Sequence, residues 1–329
     1  MAPGCALLGT RYAIMCGAMS WISERHLVSA MSNAGGFGVI ACGSMMPDML
    51  ADEIVATQAL TSKPFGVNLI TMHPEIEALI DVCLAHNVTH VVLAGGLPKA
   101  ADIKRIKDGG AKVLAFAPAL SLAKRMVRNG VDGLIVEGAE AGGHIGPVAT
   151  SVLAQEILPN ISDVPVFVAG GIGRGEAIAM YLELGAAGVQ LGTRFVCAHE
   201  SIAHDNFKKA FIRANARDAI PTVQIDPKFP VIPVRALINE GTKEFMETQR
   251  RVVERFHAGE VEQMAAQLEI EQFWAGALRR AVIDGDVTGG SMMAGQSVGM
   301  VTSEQATSEI IDELISQAQA ALDGRRLSG

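Results

Sequence analysis

The run Gly133-Leu134-Ile135-Val136-Glu137-Gly138-Ala139-Glu140-Ala141-Gly142-Gly143-His144-Ile145-Gly146 joins a short apolar segment to a glycine-rich turn that carries an imidazole. A second run of the same design, Val166-Phe167-Val168-Ala169-Gly170-Gly171-Ile172-Gly173, follows at the spacing of one strand and one helix. Short, unbroken apolar runs of this kind are strands buried on both faces, as in a parallel sheet. Glycines directly after such a strand let the backbone approach a ligand closely. A histidine there can move a proton near neutral pH, and barrel enzymes keep their chemistry at the carboxyl ends of their strands. A lone histidine is more often structural than catalytic. The pairing of two glycine-rich strand ends tips the reading of His144 towards catalysis.

Outward from these two runs, the same alternation extends over about the first 198 residues. Apolar segments at 13–15, 39–40, 65–69, 90–93, 112–116, 133–136, 166–169 and 188–191 read as strands. Amphipathic stretches at 48–60, 74–85, 100–107, 121–128, 150–157 and 176–184 read as helices between them. Eight buried strands alternating with helices predict an α/β fold, a (β/α)8 TIM barrel. An open doubly wound sheet is the alternative, but no G-x-G-x-x-G fingerprint follows the first strand. The barrel is expected over residues 1–214. Residues 215–284, with a proline-rich start and a charged helical stretch at 243–271, are expected to form a helical insertion capping the barrel mouth. Residues 285–329 then supply a glycine-rich loop, 285–296, and a last amphipathic helix, 303–322, packed back on the barrel.

Composition narrows the function classes. Nearly half of the 329 residues are apolar and 19% are charged, which is ample for a large core. With 27 basic and 35 acidic residues the net charge is −8, and no stretch is dense in Lys or Arg. Nucleic acid and membrane surfaces are therefore not expected partners, and a small molecule is. The five cysteines (Cys5, Cys16, Cys42, Cys83 and Cys197) are odd in number, scattered and free of any C-x-x-C pair. That pattern suggests neither a disulfide framework nor a zinc site, and no metal is expected. No basic patch precedes a continuous apolar core at the start, so the expectation is a soluble, cytoplasmic protein. The oligomeric state stays open, a homodimer being one option.

Candidate ligand groups cluster at the late strand ends. Gly170, Gly171 and Gly173 lead into a helix, and Gln190-Leu191-Gly192-Thr193-Arg194 closes the last strand. Backbone N–H groups from two such loops suit one phosphate of a mononucleotide, although either loop alone reads as an ordinary tight turn. Asn68 and Gln190 end strands, and neutral amides that both donate and accept suit a heteroaromatic ring. Glu137 could accept from a hydroxyl. The other histidines read as structural; His199 and His204 bracket Glu200, but no H-E-x-x-H spacing occurs. Met19 and Trp21, after the first strand, fit either the core or a wall against a flat ring.

Taken in order, Gly17-Ala18-Met19, Asn33-Ala34-Gly35-Gly36-Phe37-Gly38, Pro64-Phe65-Gly66-Val67-Asn68, the two opening runs, Gln190 to Phe195 and the 285–296 loop resemble one family across most of the chain. It comprises the nitronate monooxygenases, also called 2-nitropropane dioxygenases, and the flavin-dependent enoyl-acyl carrier protein reductases. The resemblance implies an FMN-binding TIM barrel. It implies FMN contacts from Gly17, Ala18, Met19, Asn68, Glu137, Gly142, Gly143, Gly170, Gly171, Gln190, Leu191, Gly192 and Thr193, with His144 facing the ring as acid or base. Ala18 departs from a position that is often glycine. Two activities follow from the resemblance. The first is oxidation of alkyl nitronates by O2 through a flavin semiquinone; the close alternative is NAD(P)H-dependent reduction of an enoyl thioester, with NAD(P)H as reductant.

Overall fold

A computed structural model of the chain describes residues 1–226 and 231–326. Eight parallel strands run in chain order: β1 (Ile14–Cys16), β2 (Val39–Ala41), β3 (Gly66–Ile70), β4 (His90–Ala94), β5 (Lys112–Phe116) and β6 (Gly133–Glu137). A two-residue strand, β7 (Gly143–His144), stands outside this sheet, which resumes with β8 (Val166–Ala169) and β9 (Gly188–Leu191). β9 pairs with β1, and Phe37, just before β2, bridges to Met15 of β1. The Phe37 N–H donates to Ile14 O and the Cys16 N–H to Phe37 O, both at 2.9 Å, which closes the sheet into a (β/α)8 barrel.

Strand alternation divides the core into two layers. Met15, Phe37, Val39, Val92, Leu114, Ile135, Phe167 and Ala169 fill the barrel together with Leu8 of the first helix, Ala2–Leu8. Their neighbours Ile14, Ile40, Val67, Leu69, Val91, Val113, Leu134, Val136, Val168, Val189 and Leu191 pack outward on the helices. His90 closes the lower end of the barrel. Its ring nitrogens lie 2.9 Å from Leu7 O and 2.8 Å from Thr89 Oγ1, and burial lowers its pKa to about 4. It is a structural histidine, as expected.

The segment after the barrel is less helical than expected, because strands precede its helices. β10 (Ala219–Pro221) pairs antiparallel with β11 (Val234–Leu237), which in turn pairs with β7 through its first two residues and with β12 (Met292–Met293) through its last two. Two helices follow, Glu240–His257 and Gln263–Val282. The expected single helical stretch breaks where Gly259 turns at φ +75°. These helices enclose a core of their own around Phe245, whose ring centroid is 4.0 Å from that of Trp274. The last helix, Thr307–Arg326, packs on helix Gly175–Glu183. Gly175 is needed there, since a Cβ would lie 2.1 Å from Leu314 O.

Candidate active site

Alternation decides which residues face the barrel mouth. On β9, Val189 and Leu191 point outward, so Gln190 points in; on β3, Val67 and Leu69 put Asn68 in the same orientation. Register places Met15, Gln190, Ala169 and Glu137 side by side across β1, β9, β8 and β6. The inward top layer therefore carries Asn68, Glu137 and Gln190, although they are far apart in sequence. Leu191 does not face the site. Its side chain is buried among the helices, and its carbonyl accepts from the Gly17 N–H at 2.8 Å.

The Asn68 amide donates to Val92 O at 3.2 Å, which fixes its orientation. The Gln190 side chain lies over Gly17, where a Cβ would come within 3.3 Å of Gln190 Nε2. Among the described residues no protein group bonds to the Gln190 amide or to the Glu137 carboxylate. Burial lifts the Glu137 carboxyl to about 8, so it is largely protonated at pH 7 and can donate a hydrogen bond. The sequence reading gave it only an acceptor role.

Two neighbouring loops form an anion cradle. Gly170 and Gly171 follow β8 at φ +91° and +74°, a backbone open to glycine. Among the described residues the N–H groups of Gly171, Ile172, Gly173, Gly192 and Thr193 donate to no protein acceptor. Buried backbone donors are normally paired, so a row of unpaired ones at adjacent strand ends fits an anionic ligand. The Thr193 hydroxyl accepts from the Gly295 N–H at 2.9 Å and so ties this loop to the C-terminal segment. Met19 lies beside Gly192, and its N–H donates to Ser23 Oγ at 3.0 Å. Ala18 is half-buried on the inner core.

Gly142 packs on the backbone of Ala294 and Gly295. Gly143 (φ +78°) and His144 form β7, paired to Arg235 and Val234, and the His144 side chain is exposed. The loop is anchored by a residue the sequence reading quoted without a role. The Glu140 carboxylate accepts from both the N–H and the hydroxyl of Thr150 at 2.6 Å, at the start of helix Thr150–Ile157. A carboxylate at a helix N-terminus is stabilised by the unpaired N–H groups there. The signal was the acid ten residues before a helix-opening threonine.

Strand-end amides and a row of unpaired backbone donors at the carboxyl ends of the strands mark out a candidate ligand site on the barrel. Comparisons then narrow the class. The family model described as nitronate monooxygenase matches residues 3–78 and 75–317. The chain belongs to the nitronate monooxygenase family and is an oxidoreductase. It is 29% identical to the (3aS,4S,5R,7aS)-5-hydroxy-7a-methyl-1-oxo-octahydro-1H-indene-4-carboxyl-CoA dehydrogenase of Mycobacterium tuberculosis, over 95% of this chain and 94% of that one. FabK from Thermotoga maritima superposes with a TM-score of 0.88 at 34% identity, over 99% of this chain and 98% of that one. A nitroalkane oxidase from Streptomyces ansochromogenes superposes with a TM-score of 0.81 at 26% identity, over 97% and 99%. No helix among the described residues is long and apolar enough to cross a membrane.

Proposed function

We propose that the protein is an FMN-dependent oxidoreductase that reduces the carbon–carbon double bond of an enoyl thioester, with NAD(P)H as the electron source. One observation carries the choice of substrate. The mouth loops at 17–23, 42–47, 70–73, 94–98 and 117–119 contain no Asp, Glu, Lys or Arg. Met46, Met72 and Leu97 stand exposed on three of them, at 48%, 72% and 37%. An uncharged wall on one half of the mouth suits a hydrocarbon chain better than a compact nitronate anion. A relative named for dehydrogenating a carboxyl-CoA supports the same class of substrate.

The residues fit FMN: the unpaired N–H groups at 171–173 and 192–193 would hold its phosphate, and Asn68, Glu137 and Gln190 would meet its ring and ribityl chain. Bound there, FMN supplies the hydride that the substrate's β-carbon takes up. Protonated Glu137 donates a hydrogen bond where the ligand offers an acceptor. His144 polarises the thioester oxygen or delivers the proton that completes reduction at the α-carbon. The apolar loops exclude water from the chain. On this reading His144→Ala lowers turnover by about two to four orders of magnitude while flavin content is kept.

The family match and the nitroalkane oxidase similarity favour a second reading, oxidation of alkyl nitronates with O2, which the sequence alone put first. There His144 would remove the proton from a neutral nitroalkane. Anaerobic mixing of the FMN-loaded protein separates the two. Bleaching by NADPH or NADH, followed by reoxidation with trans-2-octenoyl-N-acetylcysteamine, is the expected result. Bleaching by propyl-2-nitronate with no response to either nicotinamide would overturn the first reading.

A further inference from the structure

Arg235 is 7% exposed, on the central strand of the sheet that joins the cap to the barrel loops. Its side chain donates from Nε to Ala139 O at 2.9 Å and from Nη1 to Ala219 O at 2.5 Å. Its own carbonyl accepts from the Ala294 N–H at 3.3 Å. One residue thus holds three segments: the loop leading to His144, the edge strand of the cap, and the loop before helix Thr307–Arg326. Register completes the arrangement, since Arg235 stands opposite Gly143 and Val234 opposite His144.

Packing alone does not explain an arginine here. Among the described residues no carboxylate lies within ion-pair distance of it, and both acceptors are neutral carbonyls. The nearby Glu140 carboxylate is bonded to Thr150 and favours the charged guanidinium only through space. Burying a guanidinium without an ion-pair partner is unfavourable, and an apolar side chain would fill the position at less cost. What the guanidinium adds is geometry: a planar fork reaching two carbonyls on two segments at once, which a lysine ammonium on a flexible stem does not reproduce.

We propose that Arg235 is a positioning residue that sets the His144 loop against the cap, so that the imidazole is placed only when the cap sheet is formed. The inference rests on the catalytic reading of His144. Its side chain bonds to backbone carbonyls, so it acts on the loop and not on the imidazole itself. The test compares Arg235→Lys, His144→Ala and the double variant, each FMN-loaded, with trans-2-octenoyl-N-acetylcysteamine and NADPH or NADH. Arg235→Lys should keep flavin content and melting temperature while kcat falls about ten- to a hundredfold with KM changed less than threefold. The double variant should be no slower than His144→Ala alone, because a misplaced imidazole and an absent one are equivalent. Arg235→Met, provided it folds, should behave as the lysine variant does and recover turnover with added guanidinium. Losses that multiply in the double variant, or Arg235→Lys turning over within twofold of wild type while His144→Ala is inactive, would overturn the positioning role alone. Wild-type turnover by His144→Ala would instead sink the catalytic reading, and this inference with it.

Discussion

Glu137 ends β6 on the inside of the barrel, with no cation beside it. Burial raises its carboxyl from 4.5 to about 8, so the folded protein holds this proton more tightly than the unfolded chain does. The resulting stability is complete below pH 4.5 and is lost as pH rises through about 8. Without flavin, the melting temperature should therefore decline between pH 5 and 8.5, and Glu137→Gln should flatten that decline. Equal slopes in the two proteins would show that the carboxyl does not titrate in this range. Gly171→Asp tests the anion cradle. A side chain there would meet Glu140, its Cβ 2.9 Å from Glu140 Cβ, so a carboxylate would repel that of Glu140, and φ +74° strains any side chain; both effects would shift the N–H groups of the cradle. Flavin affinity should fall at least tenfold in equilibrium dialysis; unchanged occupancy would place the phosphate elsewhere. The inward direction of Asn68 and Gln190 was settled by packing, since strands apolar on both faces do not show which face is inside; only their place at strand ends was readable from the sequence. The roles of Glu140 and Arg235 were not, because their partners Thr150, Ala139 and Ala219 become neighbours only through folding.

The barrel strands matched their expected positions within one residue at either end, because a strand buried on both faces leaves an unbroken apolar run. β10, β11 and β12 escaped notice for the opposite reason. Each is two to four residues long, too short for a period to accumulate. The C-terminal helix was legible from its amphipathic pattern, but its seat was not. That seat depends on Gly175, whose N–H donates to Gln317 Oε1 at 2.8 Å and whose missing Cβ admits Leu314 and Ala318. Gly175→Val should destabilise the protein by about 1–3 kcal/mol or more, since backbone atoms cannot move aside as a flexible side chain would. Limited proteolysis should then cut within Thr307–Arg326 first. A variant as stable and as resistant as wild type would show that the helix does not depend on this contact.

Across the whole molecule, the barrel carries one core inside its strands and another under its helices, while Glu240–His257 and Gln263–Val282 enclose a third around Phe245. We propose that residues 215–226 and 231–284, joined by β12, unfold as a unit independently of the barrel. Phe245→Ala removes the ring tilted against Trp274 and should cost this unit about 3–5 kcal/mol. Hydrogen exchange should rise across Glu240–His257 and Gln263–Val282 while β3 to β6 stay protected. Equal loss of protection in the barrel strands would show one cooperative unit instead. The sequence by itself determined the barrel, its strand ends and the two glycine loops, because these depend on side-chain period and on glycine's backbone freedom, both local properties. Only the tertiary structure decided where His144 stands. Its strand pairs with β11, some ninety residues further along the chain, and is held from behind by Arg235 and by the loop before the last helix. Contacts between segments so far apart leave no periodic trace in either one.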